Sequence, residues 1–413
     1  MNLLRKIGGM ALLLLLPMGV SAQSSSVADT ALSVAERNAL QGFNDTIDRT
    51  AEDFITVSLV VCDPGEVLYS TLGHAALHLQ CPTFNLDYIF TYESENVREK
   101  IWTFLKGNLK MGMFALTPEE FLDSYRLDGR GVKEYTLNLS PEQKQNLWRV
   151  MDNHVLEGAN LPYDYFHRGC AKSVVQVIHE AIGKRAIHYA PWSDKYTKHT
   201  TRELGCIFVP ISSWERFILF FLVGSEFDKS YPCEQKLIVP TDLVEVWQDA
   251  TLDNGKPVLD RKERVLMETP NTIHGTWCTP LLVSVLLCIL ALLSLLTVWF
   301  SNRTIRIAGE VIDYSLLTLY TLIGAGMTYL ILFSGLPCTN WNWLIIPFNI
   351  LPVLGWHWRR YWALPYAIVC AVWVIGMLAW PHWIVDWPHI ILVCSFVIML
   401  VKQFVVTSQK NDK

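Results

Sequence analysis

The chain has 413 residues, 51% of them hydrophobic, and a formal net charge of -5. That length admits one sizeable soluble domain plus a membrane part, and so small a net charge excludes the basic surface of a nucleic-acid-binding protein. The hydrophobic residues are unevenly spread: up to about Pro270 the chain reads as an ordinary globular protein, and from Thr279 on it is mostly Leu, Ile, Val, Trp and Phe.

At the N-terminus Arg5 and Lys6 precede an apolar run, Met10 to Val20, and Val20-Ser21-Ala22 supplies small residues. This is the order of a secretory signal peptide. The run is about half of the ~20 residues a membrane-spanning helix needs, so residues 1–22 are expected to be cleaved off after Ala22. A retained anchor is the alternative, and both readings carry the next domain across the membrane. Residues 23–275 then form one exported domain and residues 276–413 a membrane domain.

In the exported domain Phe54–Cys62 alternates β-branched and apolar residues and predicts a strand. Asp63-Pro64-Gly65 marks a turn. Leu68–Leu79, with His74 and His78, and Asn85–Tyr92 predict two further strands. Val97–Leu109 has a helical, amphipathic pattern. Thr117-Pro118-Glu119-Glu120 and Ser140-Pro141-Glu142-Gln143 each place a cap, a proline and acidic or amide residues as a helix start requires. Val132–Leu137 predicts a strand between them. Tyr163–Gly169 reads as a loop and Ala171–Ile182 as a helix ended by Gly183. Trp214–Leu222 is strongly apolar and aromatic; Lys236–Pro240 predicts a short strand and Thr241–Trp247 a short helix. The sum is α+β: a small antiparallel sheet with helices to one side.

Five apolar segments come next: Pro280–Phe300, Tyr314–Phe333, Trp343–Trp356, Ala363–Trp380 and His389–Thr407. The third is short and holds Pro347 and Pro352. Arg303, Arg306, Arg359, Arg360, Lys402, Lys410 and Lys413 fall on alternate connections, whereas 335–342 and 381–388 carry no Lys or Arg. Cytoplasmic loops hold the excess of Lys and Arg. About five membrane helices with a cytoplasmic C-terminus and an outward exported domain satisfy that rule. Trp341, Trp343, Trp380, Trp383 and Trp387 gather at the outer ends, as interfacial aromatics do.

Disulfides persist outside the cytoplasm. Cys278 and Cys338 flank the same membrane surface and are expected to pair. Cys62, Cys81, Cys170, Cys206 and Cys233 remain in the exported domain, an odd number. Bridges Cys62–Cys81 and Cys206–Cys233 would leave Cys170 free.

Cys170 stands at a predicted helix start, after Tyr163-Asp164-Tyr165-Phe166-His167-Arg168-Gly169. The positive end of a helix dipole favours thiolate there, and the free backbone N–H groups could hold an oxyanion. A buried or disulfide-bonded cysteine is the competing reading. A catalytic thiol needs a base within hydrogen-bond reach and a third group to hold that base. His74 is the candidate base, with His78 on the same strand face as runner-up. Asp87, Thr91 and Glu93 share one face of the next strand, and Asp87 is the expected orienting residue. Arg168 could attract a lipid phosphate or be a solvated loop charge. His and Cys spacings suited to zinc do not occur, so neither metal nor cofactor is expected.

Gly73-His74 on a strand, followed by Tyr-x-Tyr before a cysteine at a helix start, resembles the permuted NlpC/P60-like (papain-like) thiol fold. Tyr69–Leu79, Leu86–Tyr92, Phe104–Lys110, Tyr163–Lys172 and Trp214–Pro240 are similar to the Lnb N-terminal periplasmic domain, and the membrane tail fits that family. Many relatives read Asn-Cys-Thr-Thr where this chain has Gly169-Cys170-Ala171-Lys172, which keeps the cysteine and replaces the polar residues that could serve an oxyanion or substrate beside it. The resemblance implies a lipoprotein N-acyltransferase of the bacterial inner membrane. A fatty acyl chain would move from a phospholipid donor, through a Cys170 thioester, to the α-amino group of a diacylglyceryl-cysteine lipoprotein, with His74 as base. A membrane-tethered cysteine hydrolase acting on peptidoglycan or lipids is the alternative reading.

Overall fold

The computed structural model describes residues 48–409, except 67, 98, 191–198, 210–211, 230–236, 269–275, 337–338 and 380–384. The expected signal peptide, Cys233 and Cys338 lie outside the described residues.

The exported part is built on a sheet. Strands β1 (Thr56–Cys62), β2 (His74–Cys81), β3 (Leu86–Ser94), β4 (Lys110–Leu116), β5 (Val132–Leu137), β6 (Leu161–Pro162) and β9 (Leu259–Met267) run in the order β6-β4-β3-β2-β1-β5-β9, every pair antiparallel. A two-stranded ribbon, β7 (Ile187–His188) with β8 (Thr251–Leu252), lies apart from it. Helices α1 (Ile101–Leu105) and α2 (Pro118–Leu127) flank β4. Then come α3 (Pro141–Glu157), α4 (Cys170–Ile182), α5 (Thr201–Phe208), α6 (Trp214–Leu222) and α7 (Pro240–Asp249).

Strand alternation decides which residues meet. Val57, Leu59 and Val61 of β1 and Ala75, Leu77 and Leu79 of β2 face Leu147, Val174, Ile178 and Trp247 from α3, α4 and α7. The opposite face, Val60, Cys62, Ala76 and Ile89, is closed by Phe121 and Tyr125 of α2. The sheet is therefore buried on both sides at its centre, and each fully buried aliphatic side chain contributes roughly 1.5–3 kcal/mol. Both capping signals hold: Thr117 with Glu120 opens α2, and Ser140 with Gln143 opens α3, each as a reciprocal capping box.

Some expectations change. The helix foreseen over 97–109 is only the short α1, because β3 and β4 pair up to Ser94↔Met111 and the intervening chain must turn back. The expected Cys62–Cys81 bridge does not form. Both thiols are free and buried. Register sets Cys62 opposite His74, whereas Cys81 lies at the far end of β2, beyond the Gln80↔Thr56 pair. The other two expected bridges each involve a cysteine outside the described residues.

The C-terminal part is helical: α8 (Pro280–Leu296), α9 (Arg303–Leu332), the single turn α10 (Leu351–Leu354), α11 (Arg359–Ala379) and α12 (Trp387–Gln409). Among the described residues four helices are long and apolar enough to cross a membrane. The third apolar segment of the sequence makes no long helix; it breaks into short turns, Trp343–Ile345, Leu351–Leu354 and Trp356–Trp358. Pro347 and Pro352 lack the N–H that a helix needs. The segment nonetheless runs from one end of the bundle to the other. Its start, Asn342, touches the sheet domain, and Arg359 just beyond it reaches Gln403, near the far end of α12. Asn349 caps the break by donating to the Ile345 and Ile346 carbonyls and to the Tyr366 hydroxyl at 2.7–3.0 Å, which is how irregular backbone is tolerated at membrane depth.

The sheet domain is seated on the bundle at two places. At the first, α6 lies on it: Arg216 forks onto Asp386 at 2.6 and 2.8 Å, and Phe217 stacks on His389 with ring centroids 4.4 Å apart. The Asn342 amide donates to the carbonyls of Phe220, Phe221 and Val223 at 2.8–3.2 Å, and Trp214 donates to the Cys278 carbonyl at 2.7 Å. At the second, the Gly335 N–H donates to the Lys106 carbonyl at 3.0 Å and the Ser334 hydroxyl to that of Leu105. Gly107 has φ +73°, and a Cβ there would stand 2.1 Å from the Gly335 carbonyl carbon, so only glycine fits this seat.

Candidate active site

Two chain segments converge at the end of the sheet where β2 begins. Gly73 turns the chain with φ +85°, and a Cβ on it would lie 2.7 Å from the Cys62 carbonyl. That turn places His74 as the first residue of β2. Cys170 is the first residue of α4, with Gly169 as its N-cap in extended conformation. The loop before it is pinned. Asp164 accepts from the Phe166 and His167 N–H groups at 2.9 and 2.8 Å, Tyr165 donates its hydroxyl to the Leu222 carbonyl at 2.8 Å, and Phe166 is buried against Val223 and Phe227.

His74 and Cys170 stand side by side, each close enough to shift the other's ionisation. The backbone N–H groups of Ala75 and Ala171 also favour the ionised thiol. Burial opposes ionisation of the thiol, but the neighbouring His74, with those two N–H groups, outweighs it, so Cys170 lies below an ordinary thiol. Burial likewise opposes charging of His74, and the neighbouring Cys170 and Glu93 overcome it, so His74 lies above an ordinary imidazole. Both shifts favour a thiolate–imidazolium pair. Cys170 is a free, half-buried thiol.

The imidazole is held on its other side. Its Nε2 is 2.7 Å from the Thr91 hydroxyl, which donates to Glu93 at 2.9 Å, and Nε2 lies 3.6 Å from the Glu93 carboxylate. This leaves Nδ1 for the thiol. The Tyr125 ring stacks beside the imidazole at 6.2 Å.

Asp87, the expected orienting residue, is elsewhere: it accepts from Nε2 of His78 at 2.5 Å. Register explains the difference. β2 and β3 pair as Ala76↔Thr91 and Gln80↔Asp87. Continued by one pair on the same face, this register sets Glu93 across from His74, whereas Asp87 is nearest His78. His78 is committed on both nitrogens, to Asp87 and, at 2.7 Å, to Glu134, which also pairs with Arg264. It ties β2 to β3, β5 and β9. Arg168 donates to the Pro162 carbonyl at 3.2 Å. Of the residues flanking the thiol, Ala171 is buried in the core and the Lys172 ammonium sits 3.9 Å from the Phe166 ring centroid.

Iodoacetamide labelling of Cys170, read by mass mapping, tests the ion pair. Labelling should stay fast below the ordinary thiol pKa of about 8.5 and slow only as pH falls through the lowered Cys170 value. His74→Ala should move that midpoint upward. An ordinary midpoint in the parent protein would mean that no such pair exists.

Fold and site together define a membrane protein whose sheet-rich domain sits on an apolar helical bundle and presents a thiol beside an imidazole. Residues 42–202 match the Lnb N-terminal periplasmic domain, and residues 272–411 match the Lnb transmembrane domain. The chain is an Lnb-type protein, with a periplasmic N-terminal domain and a C-terminal transmembrane domain, of a family of bacterial membrane enzymes that modify lipoproteins. No curated protein and no solved structure matches it significantly.

Proposed function

We propose that this protein is a lipoprotein N-acyltransferase working through a Cys170 thioester, with His74 as general base and acid and Thr91 and Glu93 holding the imidazole. The observation that carries this reading is the pairing of Cys170 with His74, each shifting the other's ionisation, with Thr91 on the far side of the imidazole, in an Lnb-type chain. The thiolate attacks the carbonyl of a lipid ester. The ester C–O bond breaks, and the leaving alkoxide takes the proton from His74. The lipoprotein's α-amino group then attacks the thioester, His74 accepts its proton, and the thiolate leaves as the amide forms. Splitting the transfer in two replaces one hard step by two easier ones. The helix-start N–H groups near the sulfur are suited to charge that develops on the carbonyl oxygen. In this reading the sheet domain is a permuted NlpC/P60-like thiol domain, and Asp87 serves the sheet through His78.

The same reading places the chain as a multi-pass inner-membrane protein with a cytoplasmic C-terminus. Ser334 and Gly335 touch the sheet domain, so Arg303, at the other end of the 30-residue α9, is about 45 Å away along the helix axis. Arg359 shares that far end through Gln403. Both arginines fit a cytoplasmic face.

The test is complementation of a strain lacking its own N-acyltransferase, with lipoprotein N-terminal peptides read by mass spectrometry. Triacylated peptides are expected. Diacylated peptides alone, despite good expression, would overturn the proposal, and release of free fatty acid in their place would favour a hydrolase.

A further inference from the structure

Helix α1 is too short to be held by its own backbone, yet it is fastened to the bundle by the Leu105 and Lys106 carbonyls and by the glycine seat at Gly107. At about 100° per residue, Phe104, Ile101, Leu105 and Trp102 share one arc of the helix, and Thr103 lies opposite. Phe104 and Leu105 pack onto the core of the membrane domain. Ile101 and Trp102, on the same face, are left 42% and 71% exposed. The membrane helix beneath, α9, ends in Leu332 and in Phe333 just beyond it, exposed by 67% and 73%. Large apolar side chains therefore continue from the outer wall of a transmembrane helix onto the sheet domain. Lys106, at the helix end, is exposed. Inward, the Phe104 ring lies 6.4 Å from that of Tyr163, which opens the loop that runs into Cys170 at the start of α4.

We propose that α1 is a lipid-interface helix and the entry point for an acyl chain. Ile101 and Trp102 sit among the lipids of the outer leaflet, Lys106 faces headgroup phosphates, and Phe104 with Tyr163 forms the apolar path from the bilayer to the Cys170 sulfur. Trp and Lys are the residues that settle at this depth. The occupant is a bilayer lipid because the exposed residues border α9, whose outer surface is itself lipid-facing. The path deepens the acyltransferase reading and rests on it; the interfacial seat does not.

The test uses the full chain in vesicles of phosphatidylethanolamine and phosphatidylglycerol doped with a phospholipid carrying a diazirine on its acyl chain. After irradiation, mass mapping is expected to find adducts on Ile101, Trp102 and Phe104 or Tyr163. Adducts confined to the transmembrane helices, with none on 99–110, would overturn the proposal, as would capture of these residues by a protein partner instead of lipid. A second arm compares Ile101→Ser/Trp102→Ser with the parent. KM for vesicle-borne donor should rise roughly tenfold, with the labelling rate of Cys170 unchanged. Equal KM values would remove the entry path. If Cys170→Ala kept its acyl transfer while the adducts persisted, the reaction assignment would fall and the interfacial helix would stand.

Discussion

Replacing Cys170 with alanine is expected to lower acyl transfer by at least about 10³-fold, as loss of a nucleophile does when its partners remain, with little change in thermal stability. The side chain is small and half-buried, so the alanine leaves only a minor gap, and its main interactions are with His74 and two backbone N–H groups. His74→Ala should cost about 10²–10⁴-fold. The double variant should fall little below Cys170→Ala alone, since residues that act as a unit are not additive. Single-turnover transfer of labelled acyl chain in vesicles reads all three. Activity retained in Cys170→Ala would move the chemistry elsewhere.

Asp313→Ala is expected to be the most damaging single change in the membrane domain, destabilising it by about 3–5 kcal/mol. The Asp313 carboxylate accepts from the Lys402 ammonium at 2.7 Å, from Ser294 at 2.5 Å and from Gln403 at 2.7 Å, and Lys402 also donates to Ser294 at 2.6 Å. Gln403 in turn accepts from Arg359 at 3.1 Å. One buried cluster thus joins α8, α9, α11 and α12. Removing the carboxylate leaves the Lys402 ammonium desolvated and without its counter-charge. Asp313→Leu with Lys402→Met removes both charges at similar volume and should recover most of the loss. Thermal unfolding in detergent compares the single, the double and the parent. A double variant as unstable as the single would mean that the volume or the Ser294 bonds matter, and that the charge does not.

Much of the site was legible in the sequence because its signals are local. The Cys170 position follows from a helix start after an aromatic loop, and the His74 position from a glycine turn into a strand. Thr91 and Glu93 were visible as residues on one strand face with Asp87, but choosing among them needed the register of β2 on β3. A register is a property of two strands and their shared core face, and neither strand carries it alone. The joint between the domains was less visible still. Arg216 and Asp386 are 170 residues apart, and Asn342, which belongs to the membrane domain, holds the carbonyl end of α6.

Strands β1, β2, β3 and β5, the two capping boxes, the apolar tail and the candidate residues Cys170 and His74 were readable in the chain's own pattern, since hydrophobic period, caps and turns act over a few residues; β4 and β9 of the same sheet were not. Only the tertiary structure decided that Cys62 and Cys81 stay reduced at opposite ends of the sheet, that the proline-rich third segment traverses the bundle without a long helix, and that Thr91 with Glu93 holds His74. Each of these depends on distances between residues far apart in the chain, which packing of the whole molecule sets.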